Sequence, residues 1–155
     1  MNDYILGTAI GGLVAFAFSV PAIAFETISR FRVPNALYFD VKTMWGKKLE
    51  KHEVFLVALL IHLVIGALFG LAYVTFVKNG WLVFTHSPYS IVSLLIFAVG
   101  SWVVAGTTVF PAIGLGLFGR KEGKHVWMEM LVSHVILGAG MWLAVKWFQP
   151  VWFVG

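Results

Sequence analysis

The stretch VFLVALLIHLVIGALFGLAYVTFV, residues 54–77, decides the architecture. It contains no acidic side chain, no lysine and no arginine, and a single histidine, His62, breaks its apolar run. A helix rises about 1.5 Å per residue and the hydrocarbon core of a bilayer is about 30 Å thick, so this segment is long enough to cross. A lone strand could not, because lipid offers no partner for its backbone N–H and C=O groups, whereas a helix satisfies them internally. Three further segments meet the same test, at 4–28, 90–118 and 126–147. The sequence therefore predicts an all-α fold, a polytopic membrane four-helix bundle.

Composition agrees. Of 155 residues 60% are hydrophobic and 12% charged, with a mean hydropathy of +0.90. Soluble domains use about 45–50% apolar residues and about 25% charged ones, so the main solvent of this chain is lipid. There is no cysteine, which excludes disulfides, zinc–thiolate clusters and thiolate chemistry. No linker or low-complexity tract divides the chain, which reads as a single transmembrane domain over 1–155. The first segment contains "AIA" at 22–24, the composition of a signal-peptide cleavage site. It begins "MNDY", without a basic n-region, and is taken as a true span.

The net charge of +4 is unevenly placed. Arg30, Arg32, Lys42, Lys47, Lys48 and Lys51 follow the first span, and Arg120, Lys121 and Lys124 follow the third; only Lys78 and Lys146 fall on the other side. By the positive-inside rule both basic loops face the cytoplasm, and both termini lie outside a cytoplasmic (inner) membrane. The lipid bilayer, and not nucleic acid, is the partner this charge implies. Between Pro34 and Lys51 the chain is too polar to span. Leu37, Val41, Met44 and Trp45 share one helical face, which predicts an interfacial cytoplasmic helix over 35–49 capped by Asn35. Trp81, Tyr89, Trp147 and Trp152 form the expected outer aromatic belt, and Trp45 and Trp127 the inner one.

The hairpins carry an internal repeat. PAIAFETISR (21–30) is echoed by PAIGLGLFGR (111–120), and His62, Gly66, Ala67 by His134, Gly138, Ala139. Two parallel-repeat helical hairpins account for both matches. Counting from the basic residues puts Pro21, Pro111, His62 and His134 about 15 Å into the bilayer, in one midplane polar layer. Proline lacks an N–H, so the carbonyls of Ala17 and Thr107 are expected to want donors, and a histidine on a neighbouring helix could supply one. Gly66 and Gly70 stack above His62, Gly138 above His134, and Gly7 and Gly11 mark a small face on the first helix. Close helix packing is the plain reading of these glycines, and room for a flat ligand is the other.

Chemistry is thinly represented. Ser133 adjoins His134, but consecutive helical residues point about 100° apart and make no nucleophile–base pair. No metalloprotease motif, phosphate loop, metal-ligand cluster or pair of carboxylates at one depth is present, and AIGLGLFG (112–119) sits at a membrane helix end and not after a strand. His125 and Glu129 read as a helix-end pair. The expectation is a non-enzymatic structural or accessory component, or a conduit for a small solute or ion, working as a homo-oligomer or within a membrane complex. Glu26 and Glu129 are the candidates for an ion path beside the histidines. No cofactor is required. The alternative is a b-type haem electron carrier with His62 and His134 as axial ligands.

These residues resemble a family of uncharacterised small bacterial four-helix integral membrane proteins. The likeness rests on His62, Gly66, Gly70 and Tyr73 in the second span; Pro111, Gly114, Gly116 and Phe118 ending the third; and His134 and Gly138 in the fourth. It covers roughly residues 5–148, departs most in the first span with Pro21 and Glu26, and implies fold and topology but no activity, substrate or cofactor.

Overall fold

The computed structural model describes residues 3–28, 43–44, 47–48, 50–81 and 87–148. It is an all-α four-helix bundle. Helix α1 is Asp3–Ile28, α2 is Lys51–Lys78, α3 begins as Ile91–Val104, and α4 is Val126–Phe148. Segments Asp3–Pro21, Leu59–Lys78, Ile91–Ala112 and Val126–Trp147 are each long and apolar enough to cross a membrane. Large apolar side chains also cover the outside. Leu13, Leu60 and Leu68 are each more than half exposed on different turns, an arrangement water would penalise and acyl chains accept.

Local chemistry sets the helix ends. At the start of α2 the Glu50 N–H donates to Glu53 Oε2 at 2.7 Å, and at the start of α3 Ser90 Oγ accepts from the Ser93 N–H at 3.2 Å. Helix α2 stops in a Schellman motif at Asn79-Gly80: Trp81 N–H reaches Phe76 O and Gly80 N–H reaches Val77 O, both at 3.0 Å. Gly80 takes φ 68°, and the Phe76 and Trp81 rings close the motif edge to face at 4.8 Å.

The third span departs from expectation. After Val104 the helix widens into a π turn, Ala105–Val109, in which Phe110 N–H bonds Ala105 O, and then makes one last α turn, Phe110–Ala112. The cause is Pro111, whose ring crowds the carbonyl four residues back and which offers that carbonyl no N–H. Thr107 Oγ1 and Thr108 Oγ1 donate to Val103 O and Val104 O at 2.8 and 2.6 Å, holding carbonyls the widened turn disturbs. The helix then ends six residues short of the expected 118. Leu115 N–H bonds Phe110 O at 2.9 Å and Gly114 N–H bonds Pro111 O at 3.1 Å, a second Schellman motif. Gly114, Gly116 and Gly119 then adopt φ between 72° and 90°, a region that glycine enters freely and a helix cannot use.

The interfacial helix expected over 35–49 needs correction at its C-terminal end. Thr43–Met44 (β1) and Lys47–Lys48 (β2) pair antiparallel, Thr43 with Lys48 and Met44 with Lys47. The remainder of that stretch, Lys42 among it, lies outside the described residues, as do Arg30, Arg32 and Trp152.

Helices α1 and α2 pack as one close pair and α3 and α4 as another, and α1 also meets α4. Between α1 and α2 the contact is backbone on backbone: Gly7, Gly11, Ala15 and Ser19 on α1 run antiparallel to Val74, Gly70, Gly66 and His62 on α2. A Cβ on Gly7 would stand 2.9 Å from Gly70 O, and one on Gly66 2.6 Å from Gly11 O. Gly138 faces Leu94 O and Ala98 across the α3–α4 contact. Phe97 on α3 meets Phe69, Tyr73 and Phe76 on α2 edge to face at 4.9–5.2 Å, and Gly140 on α4 receives Val14 and Phe18 of α1. Two apolar clusters result. One fills the Asp3 end around Leu6, Ile10, Phe69, Tyr73, Leu94, Phe97 and Met141. The other fills the basic end, which carries Arg120, around Phe110, Leu115, Val126 and Met130.

Candidate functional site

Between those clusters the packing leaves a cavity of about 70 Å³. That is room for about five waters, or for one small group. Helix α1 contributes Ala15, Phe18 and Ser19; α2 Ile61, His62 and Ile65; α3 Phe110; and α4 Met130, Ser133, His134, Ile136 and Leu137. The chamber exists because the small stripe of α1 ends there. Gly7 and Gly11 admit α2 closely; two turns beyond Gly11 on α1, and one turn before Gly66 on α2, Ser19 and His62 stand where glycine has given way to side chains.

The two imidazoles line the same space, as the matched spacing suggested.

Hydrogen bonds fix which atoms face inward. His134 is 5% exposed, and its Nδ1 lies 2.9 Å from Met130 O one turn back. A carbonyl has no proton to give, so Nδ1 is the donor, and the neutral ring turns the Nε2 lone pair away from its own helix. Ser19 Oγ donates to Ala15 O at 2.7 Å and Ser133 Oγ to Glu129 O at 3.0 Å. Thr8, Thr75, Thr107 and Thr108 behave likewise, each bonding the carbonyl four residues earlier. In a lipid-facing helix this is the nearest partner a hydroxyl has.

The other members of the expected layer are not in the chamber. Pro21 and Thr107 are exposed, and Pro111 is half-buried and outside the lining. The π turn turns Thr107 outward and brings Phe110 in. The donor expected for the Thr107 carbonyl is not His134 Nδ1, which is committed to Met130 O. Glu129 is half-buried one turn below Ser133 and outside the lining; the Glu26 side chain lies outside the described part of the structure. Sequence reasoning passed over Ser19, Met130 and Phe110. For Ser19 the signal was present: the steps of four from Gly7 to Gly11 continue to Ala15 and Ser19.

The glycines serve helix contact. Gly66 and Gly70 are occupied by α1, and Gly138 by α3, so none of them opens a face toward the chamber. The loop at the basic end closes over the second cluster: Lys121 N–H bonds Leu115 O at 3.1 Å, and Trp102 Nε1–H bonds Trp127 O at 3.1 Å. At the opposite end Lys78 pairs with Asp3 and lies 5.2 Å over the Tyr4 ring.

The site and fold thus define a polytopic helical bundle with a small, mostly apolar chamber holding two imidazoles and two hydroxyls. No protein-family model, curated protein or solved structure matches the chain.

Proposed function

We propose that the protein is a non-enzymatic component of the cytoplasmic (inner) membrane, with both termini outside, that passes a small solute or ion through the chamber between its hairpins. The observation that carries this reading is the chamber itself: a bundle this small, surrounded by lipid, packs two histidines and two serines around one space where apolar side chains would fill it at lower cost. The orientation draws on the crowding of nine lysines and arginines into two loops. One of the two cations at the other end, Lys78, is paired with Asp3. The non-enzymatic part draws on the hydrogen bonds. Ser133 and His134 each direct their proton to the backbone of α4, so the imidazole does not activate the hydroxyl.

The Phe69–Phe97 layer and Met141 close the chamber toward the Asp3 end. Passage therefore needs that layer to part, which is the behaviour of a carrier and not of an open pore. Four helices enclose little space, and self-association or a membrane-complex partner would give the hairpins something to move against. The test is flux into liposomes reconstituted with the full chain. Saturable uptake above protein-free liposomes is expected, and Ser19→Leu, which fills the chamber, should abolish it while thermal unfolding stays cooperative. Flux equal to that of protein-free liposomes across cations, small amines and neutral solutes would leave only the structural or accessory role.

A bis-histidine b-type haem carrier is the second reading, favoured by the presence of His62 and His134 on facing walls of one chamber. Against it stand the small volume and glycines already filled by neighbouring helices. A Soret band that disappears in His62→Ala is its signature; an iron-free, colourless preparation removes it.

A further inference from the structure

The chamber's hydrogen-bond polarity narrows what it can hold. Ser19, Ser133 and His134 each point their proton at a carbonyl of their own helix, at 2.7, 3.0 and 2.9 Å. Toward the chamber they present lone pairs. A carbonyl compound or an anion would face those lone pairs with its own, and both would be left desolvated in an apolar space. A species carrying positive charge is matched.

Charge and ligand type narrow it further. Among the described residues no carboxylate lines the chamber, and no group of three His, Cys, Asp or Glu side chains able to hold a metal occurs. Hard cations such as magnesium and calcium take six or more oxygen ligands and leave their water reluctantly, so they do not fit. Zinc would bring two positive charges with no anionic ligand to offset them. The donors that are present are nitrogen and soft sulfur: the imidazoles of His62 and His134, and the thioether of Met130 on the same wall, one turn before His134. Imidazole with thioether is the donor set that copper(I) and silver(I) prefer. The aromatic rings of Phe18 and Phe110, also in the lining, are compatible with a single positive charge. Finally, the His134 Nδ1–H bond to a backbone carbonyl is the outer contact that metal-bound histidines habitually make, fixing the tautomer and aiming Nε2.

We propose that His62, Met130 and His134 form a binding site for a soft monovalent metal ion with the chemistry of copper(I). This departs from the sequence expectation of no metal, which counted only cysteine, histidine and carboxylate clusters. It rests on the reading of the chamber as a ligand site and names the ligand's class.

The experiment is titration of the purified full-length chain in detergent with silver(I) in chloride-free buffer, repeated anaerobically with copper(I) against a competing chelator. One ion per chain is expected, with nitrogen and sulfur in its nearest shell by X-ray absorption. Met130→Leu, close in volume, should weaken binding by at least the roughly 10–100-fold that loss of an outer-shell contact alone brings. His62→Asn should remove binding, and His125→Ala, at an exposed site outside the chamber, should leave it unchanged. The proposal is overturned by a wild-type protein that binds no silver(I), by a nearest shell without sulfur, or by binding that survives in the His62→Asn, Met130→Leu double variant. The sulfur signal is read on the wild type, so the answer stands even where a variant does not fold. Binding without flux keeps this site and removes the conduit. Flux of another solute, blocked by Ser19→Leu in a protein that binds no silver(I), keeps the conduit and removes this site.

Discussion

Replacing Gly70 by alanine should destabilise the bundle, although the same exchange in an open helix interior is favourable by about 1 kcal/mol. A Cβ at Gly70 overlaps the Gly7 carbonyl oxygen and would stand 2.8 Å from the Gly7 carbonyl carbon and 3.2 Å from the Gly11 nitrogen. Comfortable separations for such atoms are about 3.5 Å or more. All three neighbours are backbone, so none can swing aside, and α1 must retreat from α2 along the whole glycine stripe. Overpacking costs about 1–3 kcal/mol, and a clash against backbone belongs at the top of that range; less the propensity gain, the net loss is about 2 kcal/mol. Gly100 on α3 is the internal control, because a Cβ there meets nothing within 4 Å. Gly100→Ala should gain up to about 1 kcal/mol. The two variants should therefore differ by about 3 kcal/mol, roughly a hundredfold in the unfolding equilibrium. Reversible unfolding in mixed micelles of dodecyl maltoside and increasing SDS, followed by circular dichroism, measures this. If Gly70→Ala unfolds at the same or a higher SDS fraction than the wild type, or if both variants shift alike, the backbone contact between α1 and α2 is refuted.

The loop after α3 offers a graded test. Gly119→Ala forces a side chain into φ 72° and onto Val126, with the Phe110 ring at 3.2 Å, and should cost about 2 kcal/mol or more. Gly116→Ala, at φ 74° but facing only the flexible Lys121 side chain, should cost about 1 kcal/mol; the reverse order in the same SDS assay would contradict the loop geometry. Tyr89 precedes the third span, and burial, with the Asp3 carboxylate adding to it, pushes its phenol up to about 12. Because the value is raised, the folded state favours the neutral phenol. The resulting stability is fully present below the ordinary value of about 10 and is lost as pH climbs through about 12. An ultraviolet titration of Tyr89→Phe should lack a phenolate component near pH 12, and the loss of one near pH 10 instead would count against the burial of this ring.

What could be read from sequence followed from how strictly each feature is constrained. Lipid imposes length on a span, so all four helices were legible to within a few residues at most ends. The exception was the end of α3. An apolar run with glycines continues to look like a helix in composition, whereas the hydrogen bonds of the Schellman motif and the positive φ of Gly114, Gly116, Phe118 and Gly119 show that the backbone has left it. The meeting of His62 and His134 followed from matched spacing, which is a statement about depth. Which face a residue presents is a statement about helical phase, and phase failed at Thr107, where the π turn before Pro111 resets it. Ser19 was reachable, but only by continuing the α1 stripe past the point where its residues stop being glycine. Where amphipathic spacing suggested a helix, Thr43–Met44 and Lys47–Lys48 pair as antiparallel strands.

The glycine stripe also bears on biogenesis. Helices α1 and α2 meet through main-chain atoms supplied entirely by the N-terminal half of the chain, so this pair can close while α3 and α4 are still being synthesised. The contacts of the later pair with the earlier one run through side chains such as Phe18 and Phe97, and the chamber needs both pairs, since Met130 and His134 come from α4 and His62 from α2.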